Sequence, residues 1–157
     1  PKKLLRYPKA VSSFEDMAQG GFRKVIDDPR MMASEDAKAV DTVVLCSGKI
    51  YYDLLEQLEV QAAPNIAFVR VEQIHPLPEA ELEVIVQKYG ADADYVWVQE
   101  EPQNMGAWSF MLQHFTRVPL SVVSRPMSAS PATGSPVIHK ARQQAIINEV
   151  FDRAHGK

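Results

Sequence analysis

Apolar residues occur in two patterns along this chain, and the two patterns alternate. This alternation predicts strands and helices in turn. Short apolar runs with few interruptions are typical of strands buried inside a sheet. Four such runs occur, at residues 41–46, 65–73, 95–99 and 120–124. After each of them, apolar residues return every three or four positions, as they do on one side of a helix.

The first two helical stretches have clear buried sides and clear ends. Ile50, Leu54 and Leu58 recur at intervals of four residues, which places Asp53 on the outer side of the first helix. The second helix is predicted to begin at Pro78 and to end at Gly90, with an apolar side between them. Its buried residues are predicted to be Leu82, Ile85, Val86 and Tyr89.

The last two helices are predicted from the same signals. In the third helix four apolar residues fall on one face: Trp108, Met111, Leu112 and Phe115. The fourth begins with Ser135 as its N-cap and Pro136 as its first residue, a common order at a helix start. The buried residues predicted near its end are Ile147, Val150, Phe151 and Ala154.

Residues 1–39 differ from the rest of the chain and are predicted to form a lead-in segment. Ser12 and Glu15 have the spacing of a capping box, which predicts a short helix that ends at the glycine pair beginning with Gly20. Residues 27–38 have turn residues and no apolar period, so we expect a surface connection there. The main domain is expected over residues 40–157.

The alternation of strands and helices predicts an α/β fold. Right-handed crossovers then give a mainly parallel sheet with helices on both faces, which makes a three-layer sandwich. Ligands of such folds bind beyond the carboxyl ends of the strands, so the loops there are the first candidates for a site. These loops are 47–49, 74–78, 100–107 and 125–134, and we expect them to share one edge of the sheet.

Composition makes several classes of protein poor interpretations. The 157 residues hold 17 Lys and Arg against 20 Asp and Glu, a net charge of −3, so a nucleic acid or a membrane is not the expected partner. One cysteine allows no internal disulfide, and no apolar stretch reaches the roughly 18 residues of a membrane helix. We therefore expect a cytoplasmic location. The chain lacks an initiator Met, and we expect it to be a piece of a longer protein.

Candidate chemistry is sparse, and each candidate has a structural alternative. The turn Ser47, Gly48 and Lys49 opens a helix, where free backbone N–H groups attract an anion, but a plain tight turn is the simpler interpretation. Cys46 ends a strand and is more typical of a small buried side chain than of a nucleophile. Neighbouring Glu100 and Glu101 point in opposite directions if extended, so one of them is expected to pair with an arginine or with backbone N–H groups.

Six basic side chains are candidates for a crevice at the predicted sheet edge. Solvated element ends are the equally plausible alternative. The six are Lys49, Arg70, Arg125, His139, Lys140 and Arg142. The histidines lack metal-ligand spacing, and Trp97 and Trp108 are expected in the core or at an interface.

Four strings closely resemble one family across almost the whole chain. They are CSGKIYYDLLEQ (46–57), IAFVRVEQIHPLP (66–78), WVQEEPQNMGAW (97–108) and RPMSASPATGS (125–135). In this order they resemble the C-terminal domain of the thiamine-diphosphate-dependent component of the 2-oxoglutarate dehydrogenase complex. The opening LLRYPKAVSSFEDM is also similar to that family's lead-in.

The resemblance implies a transketolase C-terminal-like domain with a mostly parallel five-stranded sheet. The fifth strand is then expected either near residues 125–129 or in the N-terminal part. The full enzyme, an oxidoreductase of the tricarboxylic acid cycle, uses thiamine diphosphate and Mg²⁺ and passes a succinyl group to the dihydrolipoyl succinyltransferase component. The family's GDG-to-Asn cofactor signature is absent from these residues. The domain alone is therefore expected to bind neither cofactor and to be inactive.

The resemblance also implies roles in dimer assembly, interdomain packing and regulation. The alternative is a small-anion or nucleotide effector module of acetyl-CoA or AMP type, so a nucleotide or CoA-thioester effector is an expected partner. The effector candidates are Arg6, Lys9, Ser47, Gly48, Lys49, Arg125 and Arg142. The interdomain or dimer contact candidates are Glu100, Glu101, Asn104, Gly106 and Trp108.

Overall fold

Five strands form one sheet in a computed structural model that describes residues 4–31 and 37–155, with side chains as far as Arg153. The strands are β1 (Val25–Ile26), β2 (Thr42–Cys46), β3 (Ile66–Val71), β4 (Asp94–Pro102) and β5 (Leu120–Arg125). Their order across the sheet is β1-β3-β2-β4-β5, and every pair is parallel except β1 with β3. All five residues of the central β2 are buried, which explains its unbroken apolar run.

Helices lie on both faces of the sheet. They are α1 (Phe14–Gln19), α2 (Ile50–Val60), α3 (Glu79–Tyr89), α4 (Trp108–His114) and α5 (Pro136–His155), with 3₁₀ turns at Leu4–Arg6 and Pro29–Met31. One hydrophobic cluster packs α2 and α5 against the sheet, and the other packs α3 and α4 against the opposite face. The predicted three-layer α/β fold is confirmed. Within the described residues, no helix combines the length and the apolar character needed to cross a membrane.

The fifth strand comes from the lead-in segment. Val25 pairs with Val71 and Ile26 with Arg70, so β1 extends the edge of the sheet beside β3. The N-terminal alternative is therefore confirmed and the alternative at residues 125–129 is wrong, because Arg125 is the last residue of β5. β1 has only two residues, too few for a detectable apolar period.

The surface connection predicted for residues 27–38 is wrong over the part that the structure describes. Asp28 is buried, and its carboxylate accepts from the backbone N–H of Phe68 at 2.9 Å and from the guanidinium of Arg30. Met31 is also buried, in the cluster with α3 and α4. A single buried acidic residue and a single apolar one give no periodic signal. Residues 32–36 lie outside the described part of the chain.

Helix boundaries agree with prediction at most ends. The helix at Pro136 begins as predicted, with the Ser135 hydroxyl accepting from a backbone N–H at 3.5 Å, and α3 ends at Gly90. The capping box of α1 lies one residue later than predicted, because Ser13 caps the helix and Asp16 reaches back.

Single residues of the predicted helix faces depart from expectation. Leu112 is 52% exposed, so its predicted place on the buried face of α4 is wrong, while Met111 and Phe115 are buried there. A helix of seven residues presents only about two turns to the sheet, which leaves no room for a fourth apolar contact. In α5 the predicted burial of Ile147, Val150 and Phe151 is confirmed. The prediction for Ala154 lies outside the described side chains.

Candidate functional site

Three of the four predicted loops meet at the carboxyl edge of the sheet. They surround a cavity of about 320 Å³ beyond the ends of β2, β3 and β4. Its lining comes from Ser47, Gly48, Lys49, Ile74, Trp97, Val98, Gln99, Glu100, Glu101 and Ala107. The parallel strands bring these loops together, as the sequence pattern predicted.

The fourth loop, which follows β5, is hydrogen-bonded to the third. The side-chain amide of Asn104 donates to the carbonyl of Ser128 at 3.0 Å, and the Ser128 N–H donates back to Asn104 Oδ1 at 3.0 Å. The Gln103 N–H also donates to the carbonyl of Arg125 at 2.9 Å. Asn104, predicted as an interdomain contact, therefore holds two loops of this chain together.

Lys49 lies at the centre of this edge and is held by two carboxylates. Its ammonium group donates to Asp53, one helical turn further on, and lies 2.8 Å from Glu100 Oε1. Burial alone would lower the pKa of Lys49, but the hydrogen bonds to Asp53 and Glu100 outweigh burial and leave this pKa raised. Lys49 is therefore a cation whose charge is already balanced inside the chain. The expected pairing of Glu100 is found, with a lysine as its partner instead of an arginine or backbone N–H groups.

A chain of hydrogen bonds continues from Lys49 to the end of β5. Gln143 of α5 donates to Asp53 Oδ2 at 2.8 Å, and its own Oε1 accepts from Arg125 at 3.2 Å. Arg125 also lies 3.2 Å from His139 Nδ1. An arginine has no acceptor, so this contact makes His139 Nδ1 the acceptor and the guanidinium the donor.

Two members of this network were missed in the sequence. Asp53 was predicted on the outer side of α2, but its side chain is only 11% exposed. Its spacing of four residues from Lys49 is the signal that could have identified the pair. Gln143 carries no sequence signal, because only the packing of α5 against α2 brings it to Asp53.

The predicted basic crevice is divided among separate cavities. Lys49, His139 and Lys140 line one of about 440 Å³ between α2 and α5. Arg125 and Arg142 line a second, of about 210 Å³.

Arg70 belongs to a third cavity, of about 380 Å³, which Gly48 also lines. There the Arg70 guanidinium lies 4.5 Å from the centre of the Tyr51 ring.

The two effector candidates in the lead-in segment lie apart from Lys49. Lys9 is paired with Glu59 of α2, and Arg6 is exposed at the end of a 3₁₀ turn. Neither lines a cavity with Lys49, Arg125 or Arg142 among the described residues. The structure brings together Ser47, Gly48 and Lys49, and separately Arg125 and Arg142.

Gln99 organises the loop that follows β4. Its side-chain carbonyl accepts from the indole N–H of Trp97 at 2.9 Å and from the backbone N–H of Trp108 at 3.0 Å. Its amide group donates to the carbonyls of Met105 at 2.7 Å and Pro102 at 3.1 Å. One buried amide therefore fixes both ends of this loop, and no pattern in the sequence singles it out.

The remaining contact candidates lie around the same loop. Gly106 has φ +68°, and a Cβ there would meet Gln99 Oε1 at 2.9 Å, so both the backbone and the space require glycine. Trp97 is in the core as predicted, whereas Trp108 is only partly buried against the cluster that holds α4. Glu101 is exposed.

Cys46 has the environment of a structural residue. It is fully buried, and this burial raises the pKa of its thiol to about 12. The thiol is therefore protonated at neutral pH. Among the described residues, no group of three His, Cys, Asp or Glu side chains is placed to hold a metal ion.

Comparison with known proteins decides the family. Residues 11–151 match the family model described as 2-oxoglutarate dehydrogenase C-terminal. The chain belongs to this family. The matched range includes β1, α1 and the rest of the sheet, so the lead-in helix lies within the matched region.

Curated relatives extend the comparison. The chain is 43% identical over 157 residues to oxoglutarate dehydrogenase of Buchnera aphidicola, which covers 97% of this chain and 17% of the relative. It is 41% identical over 156 residues to the 2-oxoglutarate dehydrogenase E1 component of Haemophilus influenzae, covering 96% and 16%. It is 45% identical over 152 residues to the 2-oxoadipate dehydrogenase complex component E1 of Xenopus laevis, covering 93% and 16%. The chain thus spans about a sixth of the length of these relatives.

Proposed function

We propose that this chain is the non-catalytic C-terminal domain of a 2-oxoglutarate dehydrogenase, and that it supports dimer assembly and interdomain packing. In this proposal the enzyme oxidatively decarboxylates 2-oxoglutarate and transfers the succinyl group to lipoyl groups in the tricarboxylic acid cycle. The proposed partners are the remaining domains of the same chain, a homodimer partner and the dihydrolipoyl succinyltransferase component, in the cytoplasm. The family match and the small share of each relative that the chain covers support this assignment.

Thiamine diphosphate and Mg²⁺ are proposed to bind to other parts of the enzyme. They supply the decarboxylation chemistry when bound, and the GDG-to-Asn signature that would hold them is absent from this sequence. The carboxyl-edge cavity offers Lys49 as its main cation, and two carboxylates already neutralise that charge. The residues of this domain therefore do not fit a diphosphate–metal site, and we assign them no step of the reaction.

The observation that carries the packing proposal is a row of exposed apolar side chains in the lead-in segment. We call it the apolar row: Leu5, Val11, Phe14, Met17 and Phe22, which are 66–88% exposed. None of the six residues of α1 is buried. Five large apolar side chains within 18 residues form a surface of the kind that another protein surface normally covers. The proposed cover is the remaining part of the same enzyme chain, because about five-sixths of the relatives' length lies outside the matched region.

The test is a pair of charged substitutions in the full-length protein. Phe14→Asp combined with Phe22→Asp places two carboxylates in the apolar row without touching the core of the domain. We expect this variant to dissociate in sedimentation or to lose most of its 2-oxoglutarate turnover. Val84→Asp is the matched control, because Val84 is also an apolar residue on a helix surface, 61% exposed, but lies on α3. Wild-type assembly and turnover in the double variant would contradict the proposal.

The similarity to a 2-oxoadipate enzyme defines how the substrate must be tested. The chain is as similar to the Xenopus laevis 2-oxoadipate dehydrogenase component as to the bacterial 2-oxoglutarate relatives. Overall identity in this domain therefore does not separate the two substrates. Turnover should be measured with both 2-oxoglutarate and 2-oxoadipate, and a preference for the latter would revise the substrate without affecting the packing role.

The second candidate function is an effector module for a small anion, a nucleotide or a CoA thioester. The observation that favours it is the buried guanidinium of Arg125, whose hydrogen-bond partners over residues 4–31 and 37–153 are His139 and Gln143. Thermal melting with acetyl-CoA, CoA, AMP or 2-oxoglutarate tests it, since a ligand of the folded state raises the melting temperature. We expect a shift that Arg142→Gln reduces and Lys49→Ala leaves in place, because Lys49 is neutralised within the chain. No shift with any of the four compounds would contradict this candidate.

A further inference from the structure

Arg125 is a buried cation without a carboxylate partner in the part of the chain that the structure describes. The residue is 6% exposed and ends β5. One terminal nitrogen of its guanidinium contacts His139 Nδ1 and Gln143 Oε1, both at 3.2 Å, and both of these partners are uncharged acceptors. Its buried Nε has no hydrogen-bond partner.

This arrangement is unusual for a buried charge. Removing a guanidinium from water is costly, and buried arginines are normally paired with a carboxylate or another anion. Among residues 4–31 and 37–153, no carboxylate forms an ion pair with Arg125. The same is true of Arg142 over that part of the chain. Two arginines on neighbouring elements therefore lack a negative partner among the described residues.

A cavity of about 210 Å³ lies between these arginines, and we call it the Arg125 cavity. Its lining is Ser124, Arg125, Pro126, Arg142, Ala145, Ile146 and Glu149. Apolar side chains form much of this wall, which lowers the local dielectric and strengthens any charge interaction inside. The carboxylate in the lining, Glu149, is directed to another partner, with Oε1 3.5 Å from the guanidinium of Arg153.

We propose that the Arg125 cavity is an oxyanion site, in which Arg125 and Arg142 bind a carboxylate or phosphate group. Guanidinium groups offer planar N–H donors that match two oxygens of such an anion. The Ser124 hydroxyl donates to the carbonyl of Arg125 at 3.1 Å, so the donors to the anion are the two guanidinium groups. An oxyanion here would neutralise the buried charge of Arg125.

The negatively charged group could come from either of two sources, because both present oxygen atoms to the guanidinium groups. It is either a free anion from solution or a carboxylate side chain from another part of the full-length protein. A free anion deepens the effector candidate and rests on it. The experiment therefore measures anion binding directly, so that its failure can be distinguished from a failure of dimer assembly or turnover.

The test uses inorganic phosphate as the probe and the full-length protein that carries this chain. Phosphate is titrated calorimetrically at constant ionic strength, with chloride as the comparison anion, and the melting temperature is measured without phosphate. Arg142→Gln removes the exposed arginine of the site and leaves the core untouched. Lys140→Gln is the matched control, because it removes a neighbouring charge on α5 that does not line the Arg125 cavity.

The results distinguish the two sources. For a free anion, phosphate binds the wild type and the control, and Arg142→Gln weakens binding about tenfold or more, the loss expected for a charged hydrogen-bond partner. For a carboxylate of the same protein, phosphate does not bind the wild type, and Arg142→Gln lowers the melting temperature by several degrees while Lys140→Gln does not. Arg125→Lys, which keeps the charge and removes the fork of donors, should then give the same direction of effect as Arg142→Gln.

Two results would overturn the oxyanion site. One is equal phosphate binding by the wild type, Arg142→Gln and Lys140→Gln, which would mean a non-specific effect of charge. The other is no phosphate binding together with equal melting temperatures for the wild type and both variants. In that case neither a free anion nor an internal carboxylate occupies the cavity.

Discussion

Helices α1 and α2 both carry large apolar side chains but have contrasting surroundings. α2 buries Ile50, Tyr51 and Leu54 against the sheet. α1 buries nothing within this chain, and Phe14 is 88% exposed. The contrast shows that apolar residues on a helix do not by themselves indicate burial within the same chain.

The two helices are also stabilised by different interactions. α1 depends on local interactions, namely the reciprocal bonds between Ser13 and Asp16 at its start. Isolated helices of this length are marginal, so capping alone stabilises α1 only weakly. α2 has no side-chain cap and is stabilised by packing. Substitutions in the two helices therefore separate local from tertiary stabilisation.

The largest effect is expected in the packed helix. Leu54 is fully buried, so Leu54→Ala should lower the free energy of unfolding by about 2–5 kcal/mol, from lost burial and the cavity left behind. Denaturant titration of the 157-residue chain measures it. Leu112→Ala makes the same chemical change at a residue that is 52% exposed, and it should stay within about 0.5 kcal/mol. Equal losses in the two variants would contradict the assigned burial.

An intermediate effect is expected at the loop that Gln99 fixes. Gly106→Ala should destabilise the chain by about 1–3 kcal/mol, because the new Cβ meets the Gln99 side chain in a backbone conformation that favours glycine. Gly48→Ala is the control, since Gly48 has a similar φ of +74° and nothing within 4 Å of an added Cβ. The difference between the two changes in the free energy of unfolding measures the steric clash with Gln99. Equal changes in the two variants would argue against this close contact.

A smaller effect is expected at the cap of α1. Ser13→Ala should destabilise α1 by about 1 kcal/mol, because a backbone N–H loses its side-chain acceptor. The hydrogen bond from Ser13 holds the pKa of Asp16 below its ordinary value of 3.8.

The sign of the pH dependence follows from that lowered pKa. The cap stabilises α1 above the ordinary pKa of Asp16, and this contribution is lost as the pH falls through the lowered value. In Ser13→Ala the pKa of Asp16 should rise towards 3.8, which NMR titration of its carboxyl group measures. An unchanged titration would show that the bond to Ser13 is not the cause.

The smallest effect in the 157-residue chain is expected at Phe14. Phe14→Ser should change its free energy of unfolding by less than about 0.5 kcal/mol, because the side chain is exposed there. In the full-length protein the same substitution should be destabilising by about 1.5–3 kcal/mol if the apolar row is covered. Comparing the effect of Phe14→Ser on the melting of the 157-residue chain and of the full-length protein tests whether α1, like α2, is covered. Equal small effects would mean that α1 remains exposed in both.

The sequence predicted the elements that have a repeating apolar pattern and missed the features that depend on single residues. Apolar runs and helical spacing identified β2 to β5, and Pro78, Gly90 and Ser135 identified helix ends. β1 was placed only as one of two alternatives that the resemblance raised, because two residues carry no period. At the candidate site the loops were predicted correctly, since parallel strands place them at one edge.

The individual contacts of the site could not be predicted. Gln99 and Gln143 act through loop geometry or through a partner far away in sequence, which appear only after folding, whereas the pair of Lys49 and Asp53 has a readable spacing of four residues. The division of the basic residues among separate cavities likewise depends on how α5 packs. Charge type can be read from a sequence, but the neutralisation of Lys49 and the isolation of Arg125 are properties of the assembled edge.

The antiparallel pairing of β1 has a consequence for how the domain meets its surroundings. Because Val25 lies beside Val71, the last residue of β3, the chain enters the sheet from its carboxyl edge. The segment before β1 is therefore at the same end of the molecule as the loops of the candidate site, and one cavity is lined by both Phe22 and Gly48. A single neighbour that covers the apolar row would also touch the rim of those loops. Docking would then cover the Ser47–Lys49 end of that edge, while the Arg125 cavity lies beside β5, at the other end of the strand order.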